Sequence, residues 1–447
     1  MLKSRRTICY QTKKFMTIKK SLIFASVAAA ATALSATQTM VGDVGVREAR
    51  VWFNDAGADV SAACAADGKK FDGTIKKACN NVAGAPGVAI FSGLKAGTDY
   101  EYSIIGKDGK VVASGAFKTA PDYKDRTPPP DFAFAVFGEN YVNDKEFDPP
   151  FKTPGGEYEI YSAVASKKPA FCIWADGMNT LRNADESSVS AKFLRGVAAR
   201  DRDEIKDLIS KFPNYGVVAR NSFYGKNNDS NSANIADASG AFDMLWANPA
   251  ARPGRANAYS FQYADAEFFV LDDCTNRSYL DYRDNRPSYL GDDQLMWLMG
   301  ALQNSKANFK FVVLNSPFAN PVASRDNFAF SVNERKILSD FLVFSKIPGV
   351  VFISANKPYG ELSRQIRAGG YPLYDLTVGP LTGRPVDEIA EMNYFRVPSS
   401  SITKRSFAMV KVDGPEDDRA VTFTFFDSKG GQLFSSTVKL SELKKFE

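Results

Sequence analysis

Apolar residues in this chain follow two different periodicities, and the change from one to the other divides it. Between Val44 and Pro121 the runs are short and alternate face by face: Arg50-Val51-Trp52-Phe53, Val88-Ala89-Ile90-Phe91 and Tyr100-Glu101-Tyr102-Ser103-Ile104. A period of two over so short a run predicts half-buried strands. Lys95-Ala96-Gly97 supplies turn chemistry before the last run, and Phe117-Lys118-Thr119 closes the region. Residues 44–121 therefore read as a small antiparallel β-sandwich. Residues 122–131 are polar and contain Pro128-Pro129-Pro130, which makes a short stiff linker.

From Phe132 onward strands alternate with helices. Phe132–Phe137, Ala170–Trp174, Phe268–Leu271, Phe309–Leu314 and Val350–Ile353 are apolar on both faces, as strands covered on both sides must be. Ile205, Leu208, Ile209 and Phe212 repeat at i, i+3, i+4, i+7, and so do Leu295, Leu298, Met299 and Leu302. Ser331 and Glu334 have the spacing of a capping box opening a helix through Ile337, Leu338 and Phe341. Val421, Phe423 and Phe425 alternate more strictly. Residues 132–447 read as a layered α/β domain.

Composition changes the picture at the N-terminus. Residues 1–36 carry Lys3, Arg5, Arg6, Lys13, Lys14, Lys19, Lys20 and no acid, and Lys19-Lys20 precede the apolar run Leu22–Leu34 and then Ser35-Ala36. That order is a secretory signal peptide, starting at Met1 or at Met16. The run is shorter than the roughly 20 residues that span a bilayer, so the mature chain is expected to be exported without a transmembrane helix, to the periplasm, the outer surface or the medium. Without the leader's seven cations the formal charge of +5 becomes −2, and nothing suggests nucleic acid as a partner. Apolar residues at 44%, including 34 Phe, are enough for a large core.

Of the five cysteines, Cys9 is in the leader, and Cys64 and Cys79 fall in one small region where export predicts a disulfide. Cys172 and Cys274 each end an apolar run and read either as buried thiols or as a second bridge. There is no histidine. The usual general base near neutral pH and the commonest transition-metal ligand are therefore missing.

Several stretches resemble the alkaline phosphatase D (PhoD-like) family of metallophosphatases. "GLKAGTDYEYSI" and "FKTAP" resemble its N-terminal fibronectin-like domain. "AFDMLWANPAARPG", "FQYADAEFFVLDDCTNRSYLD", "YLGDDQLMWLMGALQNSKANFKFVV", "ISANKPYGELSRQIRAGGYPLYDLTVGPLT" and "SFAMVKVDGP" follow the order and spacing of its catalytic domain. The resemblance runs from about Val44 to Val438. It implies a four-layer α/β/β/α metallophosphatase (calcineurin-like) sandwich behind a fibronectin/Ig-like sandwich. In such proteins strand-end loops hold metal ions, iron and calcium in the best-understood members, which polarise the phosphate ester and generate the attacking oxygen.

Set against that family pattern, the loops lack most of the ligands. The family's FGSCN is Phe137-Gly138-Glu139-Asn140-Tyr141 here, with Asn140 in place of the thiolate. Its LGDNIY is Trp174-Ala175-Asp176-Gly177-Met178-Asn179, which keeps Asp176 and puts Asn179 in place of Tyr. Its WDDHD is Val218-Ala219-Arg220-Asn221-Ser222-Phe223, where Arg220 places a positive charge where a cation should bind. Its GDRHF is Ala355-Asn356-Lys357-Pro358-Tyr359, with Asn356 for Asp and Pro358 for His. Asn315, after Phe309–Leu314, lines the same pocket.

The resemblance thus implies a relict pocket of Asn140, Asp176, Asn179, Arg220, Asn221, Asn315, Asn356 and Lys357, with no catalytic residue and no cofactor. If a metal were kept it would be calcium or iron at Asp176. Arg220 and Lys357 could take a phosphate-like anion, or the scaffold could serve a cell-envelope partner. The leading expectation is an exported phosphatase homologue without activity. One alternative is an active phosphatase or phosphodiesterase using Asp176, Glu361 or Asp272 and one hard cation, with Tyr141 or Tyr359 replacing the lost Tyr. Another is a surface adhesion or glycan-binding protein that stacks sugars on Trp52, Tyr100 and Tyr102.

Overall fold

The computed structural model describes residues 37–446 apart from 56–58, 78–81, 83, 226–234, 251–252 and 279–286. The leader and Cys79 lie outside the described residues, and with them the signal peptide and the Cys64–Cys79 pairing.

Seven antiparallel strands come first: β1 (Gln38–Val44), β2 (Glu48–Asp55), β3 (Ser61–Ala66), β4 (Lys69–Lys77), β5 (Ala85–Ser92), β6 (Asp99–Ile105) and β7 (Val111–Lys118). Their order is β1-β2-β5-β4-β3-β6-β7. The sheet folds over on itself, and Val41, Val51, Phe53, Phe91, Tyr100, Tyr102 and Phe117 fill the space between its two halves. The sandwich thus begins before Val44. Gln38–Val44 escapes a period-two reading because it is buried on both faces: Val41 joins the sandwich core and Met40 the helical layer beside it. Tyr100 and Tyr102 are core residues, and Trp52 is buried against that same layer. The aromatic glycan platform expected from these three rings therefore does not exist.

The rest of the chain forms two six-stranded sheets. One contains β8 (Phe132–Phe137), β9 (Cys172–Trp174), β10 (Asn214–Gly216), β17 (Ser406–Asp413), β18 (Ala420–Asp427) and β19 (Gln432–Lys439), in the order β10-β9-β8-β17-β18-β19. The other contains β11 (Tyr259–Tyr263), β12 (Ala266–Val270), β13 (Phe309–Val313), β14 (Val350–Ser354), β15 (Glu361–Arg367) and β16 (Gly370–Thr377), in the order β11-β12-β13-β14-β16-β15. Helices α1 (Ile160–Ser166), α2 (Val189–Arg200), α3 (Asp203–Lys211) and α4 (Ile235–Leu245) cover the first sheet, and α5 (Asp292–Asn304) and α6 (Val332–Phe344) cover the second.

Phe134 explains why the two sheets face each other. Its ring stacks on Phe171 at 5.1 Å and meets Phe268 and Phe311 of the opposite sheet edge-on at 5.0 and 5.3 Å. Its neighbours Ala135 and Phe137 point the other way, into the helices. A strand so placed must be apolar throughout, as the sequence pattern required. The result is an α/β/β/α sandwich.

One expectation fails locally, and one open alternative is decided. Ser331 does not cap α6 through a box. Glu334 instead reaches across to the 288–291 loop, accepting from the backbone N–H of Tyr289 (2.6 Å) and Gly291 (2.8 Å) and from the Ser288 and Ser331 hydroxyls. Four donors in the 288–291 loop, the Leu290 N–H being the fourth, outcompete one helix-end N–H. Cys172 and Cys274 are separate buried thiols, not a bridge. Glu334→Ala would strip several buried donors of their acceptor, and each costs about 1–3 kcal/mol. Urea unfolding should show a loss of about 2–4 kcal/mol, whereas a loss under about 0.5 kcal/mol would mean that water replaces the carboxylate.

Candidate functional site

The five loops singled out by sequence follow β8, β9, β10, β13 and β14. Within each sheet these strands run parallel, so their C-terminal ends share one edge, the usual place for a site in such sheets. Asn315 is the meeting point. It is fully buried and donates from Nδ2 to Asp176 Oδ1 (2.8 Å) and to the Ala175 carbonyl (3.1 Å), while the Arg220 N–H approaches its Oδ1 at 3.5 Å. One side chain thereby ties the ends of β13, β9 and β10 together.

That position weakens the acidity of Asp176. Burial raises its pKa to about 7, the nearby Glu139 carboxylate pushes the same way, and the Asn315 hydrogen bond and Arg220 charge oppose. Glu139 is itself raised by burial, against a hydrogen bond from the Thr180 hydroxyl at 3.1 Å. Sequence comparison passed over Glu139 because it precedes the family's thiolate position. An acid beside a ligand position on a strand-end loop was the available signal.

The amides are mostly engaged with one another and with the backbone. Asn140 accepts from the Tyr161 (2.6 Å) and Thr382 (2.8 Å) hydroxyls and donates to the Met178 carbonyl (2.7 Å). Asn179 donates to the Ser222 carbonyl at 3.3 Å, and its Oδ1 is buried without a donor. Asn221 donates to Asn356 Oδ1 at 3.3 Å. Asn356 has φ +58°, a left-handed conformation that Asn tolerates better than most residues. The loop after β9 needs a true glycine: a Cβ on Gly177 (φ +68°) would lie 2.5 Å from the Ser222 hydroxyl.

The cations are paired with acids. Arg220, in a single π-turn over Arg220–Tyr224, forms an ion pair with Asp326. Lys357 donates to Glu391 at 2.9 Å. Burial tends to raise the Glu391 pKa, but Lys357, Tyr359 and Asn327 outweigh it and hold the group below its ordinary range. Arg220 therefore belongs to the Asp176 cluster, while the Lys357 ammonium is committed elsewhere. No pair of cations is left to grip a phosphate.

The residues of the rebuilt-site alternative are also occupied. Glu361 is fully buried, ion-paired to Arg396 and bonded to Asn393 at 2.7 Å. Asp272 caps its own loop, accepting from the backbone of Asn257, Cys274 and Thr275. The Tyr141 hydroxyl goes to Asp148 (2.6 Å) and that of Tyr359 to Glu391 (2.8 Å), so neither replaces a Tyr ligand. The metals of the family do not fit these side chains. Among the described residues no three His, Cys, Asp or Glu side chains cluster as ligands. Calcium asks for about six to eight oxygens, whereas here the Oδ1 atoms of Asn140, Asn356 and Asp176 already accept hydrogen bonds, beside the Arg220 guanidinium.

Asp176 binds a proton in the folded chain at pH values where the unfolded chain has lost it. Its contribution to stability is thus complete below about pH 4 and falls as pH rises towards about 7. Asp176→Asn should therefore leave stability at pH 4 nearly unchanged and raise it at pH 8 by a few kcal/mol, about 1.4 kcal/mol for each tenfold change in proton affinity. Urea unfolding at the two pH values checks this, and equal effects at both would refute it.

No known family model matches the chain, and no curated protein matches it in sequence. Solved structures do. The structure of PhoD superposes with a TM-score of 0.65 at 16% identity, covering 90% of this chain and 88% of PhoD. Purple acid phosphatase PPD1 from yellow lupin (Lupinus luteus) seeds gives a TM-score of 0.65 at 12% identity, covering 90% of this chain and 74% of that one. At such identities the likeness is one of fold, and the chain has the PhoD-like metallophosphatase fold.

Proposed function

We propose that this protein is an exported phosphatase homologue that does not hydrolyse phosphate esters and acts by binding or as a structural element of the cell envelope. The observation that carries the reading is how far the strand-end pocket is engaged with the protein itself, although Asn179 Oδ1 and Asn356 Nδ2 are buried without a partner. Asp176, Asn315, Asn140, Arg220 and Lys357 each hydrogen-bond or ion-pair within the protein. A hydrolytic metal centre needs the reverse, with ligand oxygens open and a coordination position free for water. The signal-peptide order of residues 1–36 supports export. Among the described residues no helix is long and apolar enough to cross a membrane.

Metal content and turnover test the reading together. The purified mature chain, incubated with iron, calcium, zinc or manganese and desalted, should retain less than about 0.1 equivalent of each, whereas a tight site holds its metal through desalting, and calcium titration of the desalted chain covers a weaker one. It should not cleave p-nitrophenyl phosphate or bis-p-nitrophenyl phosphate above a buffer control. One retained equivalent together with turnover abolished by Asp176→Ala would overturn it.

A further inference from the structure

A cavity of about 780 Å³ lies away from the strand ends, where the N-terminal sandwich meets α4 and the segment after it. The register of the sandwich explains its wall. Arg50 pairs with Ile90, Trp52 with Val88, and Val88 with Lys76, so these five side chains leave one face of the β2–β5–β4 sheet. Val51, Phe53, Ala89 and Phe91 occupy the other face, in the sandwich core. Across the gap stand Gly240, Phe242, Met244 and Trp246.

Behind this wall is an unusual charge. Arg200, at the end of α2, is 1% exposed and lies between the rings of Trp52 and Trp246, 5.1 Å from each centroid. It donates to the carbonyls of Gly196 (2.7 Å) and Leu245 (2.9 Å) and has no acid partner among the described residues. Burial alone lowers its pKa to about 9, so it is a cation at neutral pH. A buried charge without a counter-charge is costly, and the two indole rings that sandwich this one also line the cavity. Of the charged groups lining the cavity, Arg50 is ion-paired with Glu48 and Lys77 with Asp59, so Lys76 is the cation that faces it, and Asp243 is the one acid among the described lining residues.

We propose that this cavity binds a small amphipathic anion, with an apolar body against Val88, Ile90, Phe242 and Trp246 and a single acidic head towards Lys76, in the field of Arg200. Its volume lies in the range of about 300–1,000 Å³ typical of ligand pockets, which favour junctions between domains. The site is separate from the strand-end pocket and does not depend on whether that pocket is active.

Isothermal titration of the mature chain with 2-naphthoate, its uncharged analogue 2-naphthamide, and dodecanoate tests the proposal. Naphthoate should bind with one site per chain, and naphthamide about tenfold more weakly or worse, because the charge is what is recognised. Competition by dodecanoate would point to an aliphatic ligand, and its absence to an aromatic one. Gly240→Leu should abolish binding without harming the fold. A Cβ there meets only Val189 Cγ2, at 3.5 Å, and Leu is the better helix former. Lys76→Glu should weaken naphthoate but not naphthamide. No heat at about 1 mM ligand, equal affinity for the amide, or unchanged binding by a folded Gly240→Leu variant would overturn the proposal.

Discussion

The hydrogen bonds of Asn315 are the constraint on which the strand-end pocket depends. A buried amide or carboxylate must find partners, and each bond it lacks costs about 1–3 kcal/mol. At the shared edge of the two sheets, ligand-bearing loops of a metallophosphatase would meet that demand with a cation. Here one amide meets it, joining Asp176, the Ala175 carbonyl and the Arg220 N–H. The positions of the other loops follow from this junction, because each leaves a strand whose direction the sheet has already set.

Charge balance at the junction follows the same logic. Several acids placed together without a metal would repel one another, and amides at positions 140, 221 and 356 remove most of that charge. Arg220 supplies a positive charge that acts on Asp176 in the direction a cation would, lowering its pKa against the stronger effects of burial and Glu139. A guanidinium is a fixed donor with no coordination sites. It can stabilise the architecture, but it cannot activate a water as a Lewis acid would.

Much of the architecture was legible because it rests on patterns that burial dictates. Phe134 and Phe311 sit in strands covered on both sides, and their continuous apolar runs announced it. The helices with Ile205 and Leu298 appeared from their period. The misses have one cause, which is that partners distant in sequence are invisible to local spacing. Glu334 has perfect capping-box spacing yet serves a loop more than forty positions away. Trp52 and Gln38–Val44 read poorly because a second unit covers what would be an exposed sandwich face. In the pocket, residue types told which positions differ in charge from the family pattern they resemble. Only the structure could place Glu139 beside Asp176, or give Arg220 and Lys357 their acids.

The strand-end pocket and the docking seam therefore differ in kind. At the strand ends the ionised groups have been given partners one by one. Where the sandwich docks, the backbone is equally well fitted: Gly42 lets β1 approach the chain so closely that a Cβ would lie 2.5 Å from that of Ala247, and the Asp43 N–H bonds the Ala247 carbonyl at 2.9 Å. Trp52 adds a bond from its indole N–H to the Met244 carbonyl at 2.7 Å. Arg200 is the exception within this seam, its charge held by two carbonyls and two indole faces and by no acid among the described residues. Stability alone gives no reason to keep it, since a well-packed apolar side chain of similar volume would avoid the desolvation cost. A cation kept under a cavity wall makes physical sense where something negative comes to occupy the cavity. That places the unmet electrostatic demand at the docking seam, away from the strand-end edge.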